Sequence, residues 1–132
     1  MNFAEMHLHD SEIRDIFVEN DEIVFVIPFY QFNNVTHELR LRFETEVDSV
    51  DIRYIKQFHR NHRVMMKGQE CFIDDLKKIF DKGYALAIND VFSEIDSDTW
   101  LFACDLIPYD QRKGVYHKFF LELSEVKSIS VN

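Results

Sequence analysis

Histidines near the N-terminus are the first residues in this sequence whose types and spacing could do chemistry. His7, Leu8, His9 and Asp10 stand together. In an extended segment His7 and His9 project to one face, where two imidazoles and a carboxylate could ligate a divalent metal. No third ligand at fixed spacing accompanies them, so we interpret them as surface residues and predict no metal and no cofactor.

Two further histidines leave a metal site open as an alternative. His59 and His62 have a spacing that suits one turn of a helix. Side chains at that spacing on a helix are neighbours, so the pair could serve as metal ligands.

A cationic segment is the second candidate. Residues 53–67 include no acid and five basic residues: Arg53, Lys56, Arg60, Arg63 and Lys67. Tyr54 and Phe58 lie among them, a mixture that can bind phosphate or single-stranded nucleic acid by charge and stacking. The whole chain has a formal charge of −9, which repels a polyanion at longer range, so we expect nucleic acid to be an unfavoured partner. We interpret the segment as a strand end and loop whose cations pair with nearby acids or with an acidic patch on a second copy.

Acidic residues are clustered in two other parts of the chain. They are Asp10, Glu12, Asp15, Glu19, Asp21 and Glu22, and then Asp90, Glu94, Asp96 and Asp98. Such runs usually protect strand edges from aggregation. Alternatively, they form a negative surface that blocks a basic cleft, with Trp100 and Tyr109 as aromatic anchors.

The sequence His9-Asp10-Ser11 precedes an alternating strand. This opening resembles that of several families of small uncharacterised bacterial proteins, some of which look like immunity proteins of polymorphic toxin systems. The resemblance covers about the first thirty residues and implies an inhibitory, protein-binding role. From the residues themselves we expect Asp10 and Ser11 to close a turn and His9 to bond to nearby backbone.

Sequence motifs of common enzymes are absent. The chain has three glycines, too few for a glycine-rich phosphate loop, and has no HExxH or CxxC. Cys71 is expected at a helix start, where a helix dipole can lower a thiol pKa, and Cys104 is expected in the core. Both are poor nucleophile candidates, because no base is assigned to Cys71 and Cys104 would be buried. The N-terminus lacks a signal sequence and no apolar run could span a bilayer, so we expect a cytoplasmic protein, without membrane contact and with reduced thiols.

Period-two alternation predicts most of the elements that must position these residues. Four strands are predicted between residues 13 and 58, with turns at Asn20-Asp21, Asn33-Asn34 and Asp48-Ser49 and a bulge or end of pairing at Pro28. Three more are predicted near 84–92, 100–107 and 115–123, with the tail extending the last. Sandwich and single curved sheet both remain open.

A single helix is predicted at about 70–82. Phe72, Ile73, Leu76, Ile79 and Phe80 share one helical face, and Gly83 follows as a helix terminator.

The predicted fold is therefore one α+β domain over residues 1–132, mostly antiparallel, in the order β-β-β-β-α-β-β-β. We expect a non-catalytic module that binds another protein, specifically an immunity-like inhibitor of a basic toxin. The alternative is a homodimeric domain that binds a small ligand or RNA through residues 53–67. An enzyme is the third hypothesis.

Overall fold

A computed structural model describes residues 2–109, 112 and 114–132. Most of these residues lie in antiparallel strands, and the fold is of the α+β type. One helix, α1 (Ile73–Asp81), lies in the middle of the chain, and two short 3-10 turns span Phe3–Glu5 and Val47–Ser49. The described strands are β1 (Glu12–Ile13), β2 (Asp15–Glu19), β3 (Glu22–Phe32), β4 (Val35–Glu44), β5 (Val50–Arg60), β6 (Arg63–Cys71), β7 (Ala85–Ser93), β8 (Trp100–Ile107), β9 (Tyr116–Leu123) and β10 (Ser128–Val131).

These strands form two sheets that pack face to face. The larger sheet has the order β1-β7-β8-β9-β5-β6, and the smaller has the order β10-β4-β3-β2. Phe25 and Phe43 of the small sheet contact Phe102 of the large sheet, with ring centroids 5.1 and 5.6 Å apart. Buried residues from both sheets and Leu76 of α1 belong to one hydrophobic cluster. The fold is therefore a sandwich and not one curved sheet.

Local turn chemistry agrees with the sequence at several positions. Asn20-Asp21 and Asn33-Asn34 both have positive φ values, between 49° and 63°, as a two-residue turn with right-handed twist requires. The β3–β4 register shifts between Ile27 and Tyr30, which confirms the irregularity expected at Pro28.

The predicted helix is confirmed, but its beginning is three residues later than expected. Residues 70 and 71 belong to β6, and Phe72 precedes the first turn, where its N–H donates to the Asp75 carboxylate at 2.9 Å. Gly83 has φ of +88° and its N–H donates to the Phe80 carbonyl at 2.9 Å. This is the C-terminal motif that a glycine is suited to close.

The predicted strand count and order are wrong in three places. The single strand expected from Ile13 to Glu19 is two strands, because Ile13 pairs with Leu86 in the large sheet whereas Asp15 pairs with Val26 in the small one. The tail does not extend β9 but pairs with β4 as β10, in the other sheet. The third correction is β6, which has no counterpart in the prediction.

β6 escaped prediction because it lacks the burial that creates an alternating pattern. Residues 63–70 are all exposed. The sequence predicts a strand end and loop over residues 53–67, yet residues 63–71 pair with β5 from Arg60↔Arg63 to Ile52↔Cys71 without a register shift. His59 and His62 are therefore not on a helix: His59 lies on β5 and His62 in the turn.

Candidate binding site on the arm

The β5–β6 hairpin, which we call the arm, extends beyond the rest of its sheet. β9 pairs with β5 only as far as Gln57↔Tyr116. Among the described residues, the remaining pairs from Phe58↔Met65 to Arg60↔Arg63 belong to the hairpin alone. Asn61 and His62, with φ values of 51° and 63°, form its two-residue turn. The arm thus ends as a two-stranded ribbon.

Four of the five predicted cations lie on one face of the arm. Lys56 is directly opposite Lys67, and Arg60 is directly opposite Arg63. Directly opposed side chains of an antiparallel pair lie on the same face, and residues two positions apart share it. Lys56, Arg60, Arg63 and Lys67 therefore form one cationic face, with Phe58↔Met65 as the pair between them.

Arg53 is the exception. Its position in β5 puts it on the opposite face, directly across from Glu70. The sequence segment therefore does not form one basic patch, and Arg53 does not belong to the cationic face.

The expected pairing of these cations with nearby acids is not seen among the described residues. Within residues 2–109, 112 and 114–132, no carboxylate forms a salt bridge with Lys56, Arg60, Arg63 or Lys67. Like charges opposite each other destabilise a strand pair by up to about 1 kcal/mol. The arm therefore has positive charge that these residues leave uncompensated.

A cleft lies at the base of the cationic face. Tyr54 and Gln69 are the next same-face residues towards the sandwich, and both line a cavity of about 440 Å³ between the large sheet and α1. Cys71, Ile79, Leu106 and Phe119 supply much of its apolar lining, and Asp75, Lys82, Tyr84 and His117 complete it. Its volume is within the range of small-ligand sites.

Tyr54 and His117 form a hydrogen-bonded pair in the lining of this cleft. The Tyr54 hydroxyl and His117 Nδ1 share a hydrogen bond of 2.5 Å, and the rings stack at 5.9 Å with an angle of 11°. His117 is also the residue directly opposite Lys56 in the β5–β9 pair. The cleft and the cationic face are therefore continuous. Sequence reasoning missed His117, because nothing in the sequence indicates that residues 63 positions apart are neighbours.

His9 and Asp10 lie elsewhere, at the corner where the chain enters β1. The Ser11 N–H donates to the Leu8 carbonyl at 2.9 Å, so the expected turn is present but is closed by backbone. His9 Nδ1 donates to the carbonyl of Asn89 at 2.6 Å, and this bond, followed by the Asp10 carboxylate, raises the pKa of His9.

Asp105 connects this corner to the exposed face of the large sheet. Its carboxylate accepts hydrogen bonds from Asn89 at 2.5 Å and from Lys118 Nζ at 3.2 Å. Partial burial, then the carboxylates of Asp105 and Asp10, raise the pKa of Tyr109. These hydrogen bonds hold Asp105 between the corner and the exposed face of the sheet.

Trp100 does not join Tyr109 in one aromatic anchor. Trp100 begins β8, where it packs edge-to-face on Phe3 at 5.1 Å, whereas Tyr109 follows the other end of that strand. Cys71 also departs from expectation, because burial raises its pKa where a helix dipole would lower it. Cys104 is buried and its pKa is raised for the same reason.

Three glutamates form a row on the small sheet. Glu19 is opposite Glu22, and Glu22 is opposite Glu44. Arg42 bridges to Glu19 at 3.1 Å, so the row is partly neutralised within the sheet.

Comparisons with protein-family models, curated protein sequences and solved structures found no significant match to this chain. Among the described residues, no three metal-ligating side chains form a cluster. The described helices include none with the length and hydropathy of a membrane span.

Proposed function

We propose that this chain is a non-catalytic protein-binding module that contacts an acidic partner through the cationic face of the arm. The observation that carries the proposal is the alignment of Lys56, Arg60, Arg63 and Lys67 on one face of the ribbon, where none of them forms a salt bridge with an acid among the described residues. Repulsion between these cations destabilises the free hairpin, and anionic groups that bind there reduce that repulsion.

An acidic protein segment suits this surface better than a nucleic acid does. The chain has a net charge of −9, and without the five cations of residues 53–67 the remainder is at −14. A long polyanion would experience that repulsion beyond the arm, whereas a short acidic segment interacts mainly within one Debye length of it. The half-buried Phe58 between the cations offers apolar contact of the kind that anchors protein interfaces.

An immunity-like inhibitor of a basic toxin is the second candidate. The row of Glu19, Glu22 and Glu44 favours it, because three acidic side chains across adjacent strands form a surface complementary to a basic partner. In that case the contact would be on the small sheet and the arm would be uninvolved.

The test is fluorescence anisotropy with three labelled probes at low salt: an oligoglutamate peptide, an oligolysine peptide and a single-stranded RNA. The variant K56E/K67E reverses charge on the cationic face. Its matched control, K78E/K127E, makes the same change in net charge at two exposed lysines outside the arm.

We expect the oligoglutamate peptide to bind, with affinity about tenfold or more lower in K56E/K67E and nearly unchanged in K78E/K127E. Binding of oligolysine alone would instead support the inhibitor of a basic toxin. Tighter binding of RNA than of oligoglutamate would favour the nucleic-acid alternative, and equal losses in both variants would show that the arm has no special role.

A further inference from the structure

The outer edge of β6 is the longest uncovered strand edge among the described residues. β6 ends the large sheet and has nine residues, whereas β1 at the other end has two. In the small sheet, β10 has four residues and β2 lies against α1. An uncovered edge has backbone N–H and C=O groups that a further strand can pair with.

β6 has charged side chains but lacks two other devices that usually block such pairing, a proline and a bulge. It has no proline, and the β5–β6 register has no shift, unlike β3–β4 and β7–β8. Val64, Met65 and Met66 are three consecutive apolar residues with exposures of 56%, 39% and 70%. Its charged side chains therefore protect this edge against non-specific association.

The turn determines which backbone groups point outwards. Arg60 and Arg63 close a two-residue turn, so they exchange both backbone hydrogen bonds with each other. Because hydrogen-bonded and non-hydrogen-bonded pairs alternate, Met65 and Lys67 also direct their N–H groups towards β5. The N–H groups of Val64, Met66, Gly68 and Glu70 consequently face the free edge.

We propose that β6 binds its partner by strand addition, and that the partner strand alternates acidic with apolar residues. Arg63 and Lys67 lie on one face of β6, and Val64 and Met66 lie on the other. A strand paired alongside would have its acidic residues next to the first pair and its apolar residues next to the second. This inference rests on the proposed function and specifies how the acidic partner binds.

A second copy of this chain is a poor occupant of the same edge. Pairing two β6 strands would bring Arg63 and Lys67 of each copy, together with Lys56 and Arg60, into one cationic surface. Like charges on adjacent strands oppose that association.

The test uses a labelled octapeptide of alternating glutamate and valine, and a control peptide of the same composition with its glutamates in one block. The variant M66P removes an outward-facing N–H, a change that an edge strand tolerates. The control M66A also removes the Met66 side chain but keeps the N–H. We expect the alternating peptide to bind more tightly than the block peptide, and M66P to weaken it about tenfold more than M66A does.

Hydrogen exchange provides a second measurement that does not depend on the fold of M66P. In the wild type, the alternating peptide should slow exchange at Val64, Met66 and Gly68, whose N–H groups face the free edge. Exchange at Met65 and Lys67 should change little.

Equal affinities of M66P and M66A, without that protection, would overturn strand addition. If K56E/K67E still abolished binding in that case, the proposed function would stand. If neither this peptide nor oligoglutamate bound the wild type, both proposals would be wrong.

Discussion

At the residue scale, the two cysteines differ in exposure, but burial raises the pKa of both thiols. Cys71 is half-buried at the end of β6, and burial raises its pKa despite a hydrogen bond from Gln69 that acts in the opposite direction. Cys104 is buried in β8, where burial and the adjacent Asp105 raise its pKa. The thiolate is the reactive form, so neither residue is suited to be a nucleophile at neutral pH.

We therefore expect slow alkylation at both positions. At about pH 7.5, Cys71 should react with iodoacetamide more slowly than free cysteine, and Cys104 should react only when the protein is unfolded by denaturant. Mass spectrometry of time points measures both rates. A Cys71 rate above that of free cysteine would contradict the burial effect.

His9 gives a pH-dependent prediction. Its folded pKa is raised above the ordinary 6.5, first by the bond to the Asn89 carbonyl and then by Asp10. The protonated form is therefore favoured in the folded protein, so its contribution is complete below about pH 6.5 and is lost as pH rises through the folded pKa.

Urea unfolding of wild type and H9Q at about pH 5.5 and about pH 8.5 tests this prediction. The stability advantage of the wild type should be larger at the lower pH. The control is H7Q, the same substitution at an exposed histidine whose ring has no hydrogen-bond partner among the described residues. A wild-type advantage that grows with pH would contradict the assignment.

The sequence predicted residues whose role is local and missed those whose role depends on distant partners. Asn20-Asp21, Pro28 and Gly83 act through their own backbone preferences. The turn, the strand irregularity and the helix end at these positions could therefore be predicted from the sequence. The Tyr54–His117 pair exists only because β5 and β9 are neighbours, and Arg53 leaves the cationic face only because residues 53–60 form a strand.

At the element scale, the arm depends on a turn that histidine does not suit. His62 has φ of 63°, a conformation that glycine adopts at little cost and that Asn-Gly turns favour strongly. H62G should therefore stabilise the arm by about 0.5–1 kcal/mol.

Amide exchange measures this effect. Protection of the Phe58 and Met65 amides, which face each other at the end of the arm, should increase in H62G. Amides of the β2–β3 hairpin serve as the internal control and should be unchanged. Faster exchange in the arm would show that the His62 side chain stabilises the turn.

Two strand elements were not predictable from the sequence pattern. β6 is exposed on both faces, so it has neither the alternation nor the apolar run by which strands are recognised. The sequence pattern also does not indicate that the chain changes sheet between β1 and β2. Ile13 and Ile16 are both buried, and a continuous strand would place them on opposite faces.

At the scale of the whole molecule, aromatic packing joins the two sheets. Phe102 is fully buried and contacts Phe25 and Phe43 across the interface. F102A should lower the free energy of unfolding by about 3–5 kcal/mol, because it removes this contact and leaves a cavity.

Chemical denaturation with F92A as control tests this role. Phe92 is 52% exposed, so its removal should change stability by less than about 1 kcal/mol. A cost for F102A as small as that of F92A would contradict the central position of Phe102 in the core.

Charge separation is the second property of the whole molecule, and it underlies the proposed function. The positive arm projects from a body whose other residues are strongly negative, and the arm has its cations on the face that continues into the cleft. The net charge of −9 does not show this separation of charge. The sequence indicates it through the basic residues of 53–67, and the hairpin places four of them on one face.

The most direct test is an NMR titration of the isotopically labelled protein with the oligoglutamate peptide. We predict chemical-shift changes concentrated at residues 54–69, which saturate and are lost in K56E/K67E but kept in K78E/K127E. Changes centred on Glu19, Glu22 and Glu44, or no saturable change at the arm, would contradict the proposed function.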